Sequence, residues 1–243
     1  MQLNFAAREV AIKLVYYGPG LSGKTTNLRA LHQLVTEDCK GRLMTLETKD
    51  DRTLFFDMLP LVFHGLASAT AEDARSTGLS LRVKVFTVPG QVIHASTRKL
   101  VLQGADGVAF IADSRRSETQ SNAASFLDLK ANLEDLGRAI GDMPVVIQFN
   151  KRDLPDVRPE AEVLALAQRG KEPVYQAVAT SGAGVAETFV GLLHLTYSRL
   201  DREHQLSGKL AITPPELLEL VSQRLGGASG QTLLGACLGG FRA

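Results

Sequence analysis

Eight residues near the N-terminus have the types and spacing to hold a phosphate: Gly18-Pro19-Gly20-Leu21-Ser22-Gly23-Lys24-Thr25. The run fits G-x-x-x-x-G-K-[ST], in which glycines let the backbone wrap an anion with its N–H groups pointing inward. An apolar, β-branched and aromatic run, Val10 to Tyr17, precedes it, and a helix-compatible run, Thr25 to Val35, follows. A helix beginning there adds partial positive charge at the loop. In this pattern Lys24 reaches the β- and γ-phosphates and Thr25 offers its hydroxyl to Mg²⁺. The nucleotide-contacting set is therefore Gly18, Gly20, Leu21, Ser22, Gly23, Lys24, Thr25 and Thr26. An ordinary Gly-rich turn before a helix does not account for Lys24-Thr25 between these flanks.

A second constellation would choose the base. Asn150-Lys151-Arg152-Asp153 follows a buried-looking strand and matches N-K-x-D, the guanine-recognition motif of regulatory GTPases. A carboxylate at Asp153 can accept from the ring N–H and the exocyclic amine of guanine together, which adenine cannot match. Asn150 would brace the loop and the Lys151 stem would lie over the base. The later stretch Ala179-Thr180-Ser181-Gly182-Ala183-Gly184 resembles the loop that offers a backbone N–H to the guanine oxygen, with Ala179 at that position.

A third set concerns hydrolysis. Val88-Pro89-Gly90-Gln91 ends a strand where regulatory GTPases carry D-x-x-G-Q. The Gly90 N–H would contact the γ-phosphate and Gln91 would orient the attacking water. The position of the expected aspartate is Thr87, so a carboxylate of the Mg²⁺ water shell is missing there. Upstream, Thr53 is a candidate for ligating Mg²⁺ beside Thr25 or for sensing the γ-phosphate, and Arg52 for an arginine finger supplied by the chain itself.

These loops need a scaffold. Strands are expected over 10–17, 43–46, 79–88, 107–113, 144–150 and 173–178, and helices over 25–36, 96–102, 117–138, 159–169 and 185–202. Asn4-Phe5 reads as a short strand beside the first. The apolar run 53–63 contains Pro60, which denies it a central-strand or mid-helix place. Part of that run reads as core and part as an exposed partner patch. Residues 65–78 are small and polar and read as a surface loop. Strand–helix alternation implies an α/β fold, with a mostly parallel sheet and helices on both faces. Every motif above falls at the carboxyl end of an expected strand, where such folds bind nucleotides. Composition shifts after Arg202, dividing the chain into 1–202 and a C-terminal extension, 203–243, with one helix at about 214–225. That helix would be capped by Thr213; packing onto its own domain and binding a partner are both open to it.

The bulk numbers exclude several classes. The 243 residues carry net charge +1, with 44% hydrophobic and 22% charged residues, so no global field favours nucleic acid or acidic lipid. Cys39 and Cys237 are far apart, without metal-ligand spacing, which suits a reducing cytoplasm. No signal-peptide pattern and no integral membrane segment are expected.

Taken together, Tyr16-Tyr17-Gly18-Pro19-Gly20-Leu21, Asp51-Arg52-Thr53-Leu54-Phe55-Phe56-Asp57, Thr87-Val88-Pro89-Gly90-Gln91, Arg98-Lys99-Leu100 and Gln148 to Pro155 resemble the MglA family of small Ras-like GTPases. The resemblance covers about residues 5–200, and Thr87 is itself MglA-like. It implies a Ras-like P-loop NTPase fold and a molecular switch using GTP/GDP and Mg²⁺. Arg52 and Gln91 are then the catalytic pair. It further implies a Roadblock-type GTPase-activating partner (MglB-like), effectors of cell polarity or of gliding and type IV pilus motility, and recruitment from the cytoplasm to a cell pole. The loop 65–78 and the extension depart from the short family members, a pattern open to a paralogue. A GTP-binding scaffold with little intrinsic hydrolysis stands as the alternative, motivated by Thr87.

Overall fold

The computed structural model describes residues 1–4, 6–46, 56–66, 78–89 and 95–225. Its organising element is β2 (Glu9–Tyr17), whose last four residues are all buried. On one side β2 pairs in parallel with β5 (Leu79–Thr87), and on the other with β6 (Gly107–Asp113). The sheet continues past β6 to β7 (Val145–Asn150) and β8 (Val174–Gln176), both parallel. Past β5 it continues antiparallel to β4 (Phe56–Leu66) and β3 (Met44–Leu46). The order is β3-β4-β5-β2-β6-β7-β8, with β1 (Gln2–Asn4) antiparallel to the start of β2. Because the chain leaves β2 with neighbours on both sides, the carboxyl end of β2 is the switch point where an α/β sheet opens a crevice.

Helices cover both faces. α1 (Lys24–Leu34), α5 (Val185–His204) and α7 (Pro214–Ser222) lie over one core, with Leu28, Leu31, Phe189, Leu193, Tyr197, Leu217 and Val221 buried in it. α2 (Ala95–Leu102) and α3 (Thr119–Asp135) cover the other, around Val108, Phe110, Leu129 and Leu133. α4 (Glu160–Arg169) contributes Val163 to that second core. All seven residues of β6 are buried, as a strand covered on both faces requires. β4 and β5 alternate instead, each burying every second residue, including Leu59, Leu61 and Phe63 of β4.

Four segments differ from expectation. Pro60 lies inside β4, second from the sheet edge, opposite Lys84 of β5. Its carbonyl accepts from Gly41 on the outer side, so its ring nitrogen also faces outward and β5 asks no N–H of it. The helix expected over 117–138 starts with one tighter turn, Arg116–Glu118, and stops at Asp135. Gly137 there takes φ 72°, and Arg138 N–H returns to Leu133 O at 2.9 Å. A short helix, α6 (Leu206–Leu210), precedes α7 and was not expected; five residues are too few to show a period. The loop expected over 65–78 begins later, since β4 runs to Leu66, while β5 starts at Leu79 as expected; residues 67–77 lie outside the described residues.

The segment after α5 returns to the domain it leaves. Ile212 O accepts from the buried Tyr197 hydroxyl at 3.2 Å, and Leu210 O accepts from Arg8 at 2.6 Å. Glu216 accepts from both the N–H and hydroxyl of Thr213, holding the first turn of α7. Leu217, Leu218 and Val221 of α7 are each at most 1% exposed. Among the described residues, no helix is long and apolar enough to cross a membrane.

Candidate functional site

The loop between β2 and α1 is shaped for close approach. Gly18 takes φ 144°, and a Cβ on it would sit 2.2 Å from Ile111 O, so only glycine lets β2 turn here. Gly23 takes φ 97° and a Cβ on it would sit 2.3 Å from Asn150 Nδ2. Leu21 takes φ 61° with a side chain 89% exposed, a left-handed leucine held at the rim of the loop.

Lys24 is folded into this loop. Its Nζ donates to Gly18 O at 2.9 Å and Pro19 O at 2.6 Å, and the residue is 7% exposed. Burial lowers its pKa to about 8, and the charge of Arg98 adds to the effect. A cation desolvated among carbonyls, with no carboxylate partner among the described residues, fits a loop made for an anion.

The base-selecting loop is tied to the phosphate loop by one side chain. Asn150, at the end of β7, donates from Nδ2 to Ser22 O at 2.9 Å and accepts from the Ala179 N–H at 3.0 Å. Expected to face a purine oxygen, that Ala179 N–H is thus donated to Asn150 in this structure. Lys151, at φ 65°, places its Nζ 2.7 Å from Asp113 Oδ2, at the end of β6. Arg115 pairs with the same carboxylate. Burial pushes Asp113 up, but hydrogen bonds from Arg115 and Lys151 outweigh it and hold the group at about 2. Gln148, wholly buried, donates to Asn27 of α1 and Thr188 of α5 and so pins β7 between the two helices. Leu21, Gly23, Thr26, Asn150, Lys151, Asp153, Ala179 and Thr180 line one cleft of about 270 Å³. Asp153 lies exposed at its edge.

The other end of the loop holds a feature that sequence reading did not single out. Asp57 of β4 is 8% exposed, and its Oδ2 accepts from the Thr25 hydroxyl at 2.6 Å. Its Oδ1 accepts from Thr45 at 2.8 Å. Thr87 of β5 closes the group: its hydroxyl is 3.2 Å from Asp57 Oδ2 and accepts from the Asp57 N–H at 2.9 Å. Among the described residues this buried carboxylate meets only hydroxyls and no cation. A hard divalent ion, bound through one or two carboxylates and otherwise by water and phosphate, fits that donor set. A carboxylate is therefore present beside Thr25, supplied by the strand next to the one that carries Thr87. The signal in the sequence was a lone acid in the buried alternation Asp57, Leu59, Leu61, Phe63.

Arg52, Thr53, Gly90 and Gln91, the residues expected to carry hydrolysis and part of the metal site, lie outside the described residues. Among the described residues no group of three or more metal-ligating side chains occurs.

The chain is similar to the mutual gliding-motility protein MglA of Myxococcus xanthus (strain DK1622): 40% identical over 200 residues, which cover 82% of this chain and 97% of that protein. No family model matches the chain.

Proposed function

The chain belongs to the MglA family of small GTPases, and from that premise we propose that it is a switch that binds GTP or GDP in the cleft and hydrolyses GTP with bound Mg²⁺. The observation that carries this reading is the meeting of Gly23, Asn150, Asp153 and Ala179 around one cleft, with Asn150 bonded to both flanking loops. Lys24 binds phosphate oxygens, and Asp153 selects guanine by accepting two hydrogen bonds. Thr25 and Thr53 would hold the metal, with Asp57 oriented toward it from the hydroxyl of Thr25. Bound there, Mg²⁺ supplies neutralisation of the charge that develops on the phosphates.

Hydrolysis in this reading uses Gln91 to orient water, the Gly90 N–H to bind the transferred phosphoryl group and Arg52 to offset its charge. Turnover is slow alone and accelerated by a Roadblock-type partner that completes the site without inserting an arginine. The GTP form acts at a cell pole on effectors of polarity and of gliding motility, the last of which the name of the relative also carries. The protein works in the cytoplasm, with residues 1–202 as the GTPase domain and 203–243 as its extension.

Single-turnover GTP hydrolysis by the full chain, with and without a Roadblock-type partner, tests the reading. A slow rate that the partner raises at least about a hundredfold supports it, and the Gln91→Leu variant should abolish that gain. Hydrolysis that no partner accelerates would instead leave the scaffold reading. Equal competition by ATP and GTP for the site would remove the guanine assignment.

A further inference from the structure

Beside the phosphate loop, three elements meet at one carboxylate. Asp128 of α3 binds Arg98 of α2 with both oxygens: Nε lies 2.8 Å from Oδ2, and Nη2 3.3 Å from Oδ1. The hydroxyl of Tyr17, the last residue of β2, donates to the same carboxylate, and Asn132 donates to that hydroxyl at 3.2 Å. Burial and Asp128 both keep the Tyr17 phenol protonated and able to donate. The Arg98 side chain is 7% exposed, so its charge is felt inside the protein rather than screened by water.

The position of this cluster is the point. Tyr17 is bonded covalently to Gly18, where the phosphate loop begins. Gly18, Pro19 and Gly20 line a recess of about 480 Å³ together with Arg98 and Asp128. Arg98 is near enough to Lys24 for its charge to help lower the lysine's pKa. Two buried cations therefore stand beside one anion-binding loop, one on the loop and one on α2.

We propose that Arg98 is a positioning residue of the nucleotide cycle, fastening α2 to α3 through Asp128 and Tyr17 so that the hold of α2 on α3 and the negative charge in the phosphate loop stabilise each other. The physical reason is reciprocal coupling. With the loop empty or holding less negative charge, Lys24 and Arg98 repel and Arg98 is less well held. A triphosphate offsets both cations more than a diphosphate does, so it favours Arg98 seated on Asp128. By linkage the seated arginine must then favour the triphosphate by the same factor. A buried ion pair that merely holds two helices together would stabilise the protein without distinguishing the nucleotides. The inference rests on the phosphate-loop reading of residues 18–25.

The test compares affinities for GDP and for a non-hydrolysable GTP analogue in the full chain, with hydrogen exchange over residues 95–102. Arg98→Gln should lower the preference for the triphosphate about tenfold, a coupling of ordinary size. Asp128→Asn should do the same, and the double variant should be no worse than either alone. Arg98→Lys, which keeps the charge but loses the two-point grip, should restore part of the preference. In the native chain the triphosphate should slow exchange in α2 relative to GDP, and in Arg98→Gln that difference should vanish. An unchanged affinity ratio in folded Arg98→Gln and Asp128→Asn, with only the melting temperature lowered, overturns the proposal and leaves a structural ion pair. Retention of both nucleotides by Lys24→Ala would instead remove the underlying loop assignment.

Discussion

At the base end of the cleft one short motif does its work locally: Asn150 bonds Ser22 and Ala179, and its neighbour Lys151 bonds Asp113. At the metal end the arrangement is assembled across strands, with Asp57 of β4, Thr87 of β5 and Thr25 at the start of α1 meeting at one carboxylate. The first end depends on residue order along a single loop after β7. The second depends on register, because Asp57 reaches Thr87 only through the antiparallel pairing of β4 with β5. A side chain can move to a neighbouring strand without changing what reaches the centre, so the metal end can change its sequence while keeping a carboxylate. The base end would not share that freedom, since the bidentate contact to a flat base proposed for Asp153 tolerates little displacement.

The largest expected effect lies where the two ends join. Lys24→Ala removes a buried cation whose donors already lie in the loop, and affinity for GTP and GDP should fall by more than about a hundredfold, as for a lost charge-assisted contact to phosphate. Titration with a fluorescent nucleotide measures this, and native affinity in that variant would break the comparison at its centre. Next in size, Asp153→Asn replaces two acceptors by one acceptor and one donor. GTP affinity should drop by about a hundredfold, while xanthosine triphosphate, which carries an oxygen where guanine has an amine, should gain. A variant that still prefers GTP strongly would mean that Asp153 does not read the base.

The metal end should respond more gently, and reciprocally. Asp57→Asn removes the only acid described beside Thr25, and the Mg²⁺ concentration needed to slow nucleotide release should rise about tenfold to a hundredfold, the usual range for a lost outer-shell group. Adding Thr87→Asp to that variant should recover part of the loss, because the two positions share one hydroxyl–carboxylate contact. Recovery would show that the carboxylate's presence matters more than its strand. No change in Mg²⁺ dependence with Asp57→Asn would take the metal away from this residue.

The same contrast explains what could be read from residue order. Gly18 to Thr25 and Asn150 to Asp153 are contiguous and the roles proposed for them rest partly on backbone, so their motifs stand out in a line of sequence. The parallel core strands were visible too, because strands covered on both faces, such as β6, are apolar throughout. Asp57 is a lone acid in an apolar run, and its contacts with Thr25 and Thr87 follow only once β4 is laid beside β5. Pro60 misled for a related reason. Whether a proline can sit within a sheet depends on which side its nitrogen faces, and that is a property of register rather than composition. The tie of Arg98 to Asp128 and Tyr17 spans 111 residues between Tyr17 and Asp128, and no local pattern announces it.

The smallest effect concerns how firmly the base end is held in acid. Asp113 is 2% exposed and bonded to Arg115 and Lys151, which keep its folded pKa at about 2, below the ordinary carboxylate value near ~3.9. Depression of the folded pKa means that the ionised form stabilises the native state. That contribution is complete above the ordinary value and is lost as pH falls through about 2. Urea unfolding of the native chain and of Asp113→Asn should therefore show a constant stability difference from pH 7 to about 5. Below about pH 4 the difference should narrow, and near pH 2 it should close. Because the carboxylate is buried, added salt should change it little. A difference that persists unchanged at pH 2 would mean that the loss in Asp113→Asn comes from altered packing. Lys151 would then owe its place to the turn after β7 and not to the charge of Asp113, and the base end would be held by local backbone alone.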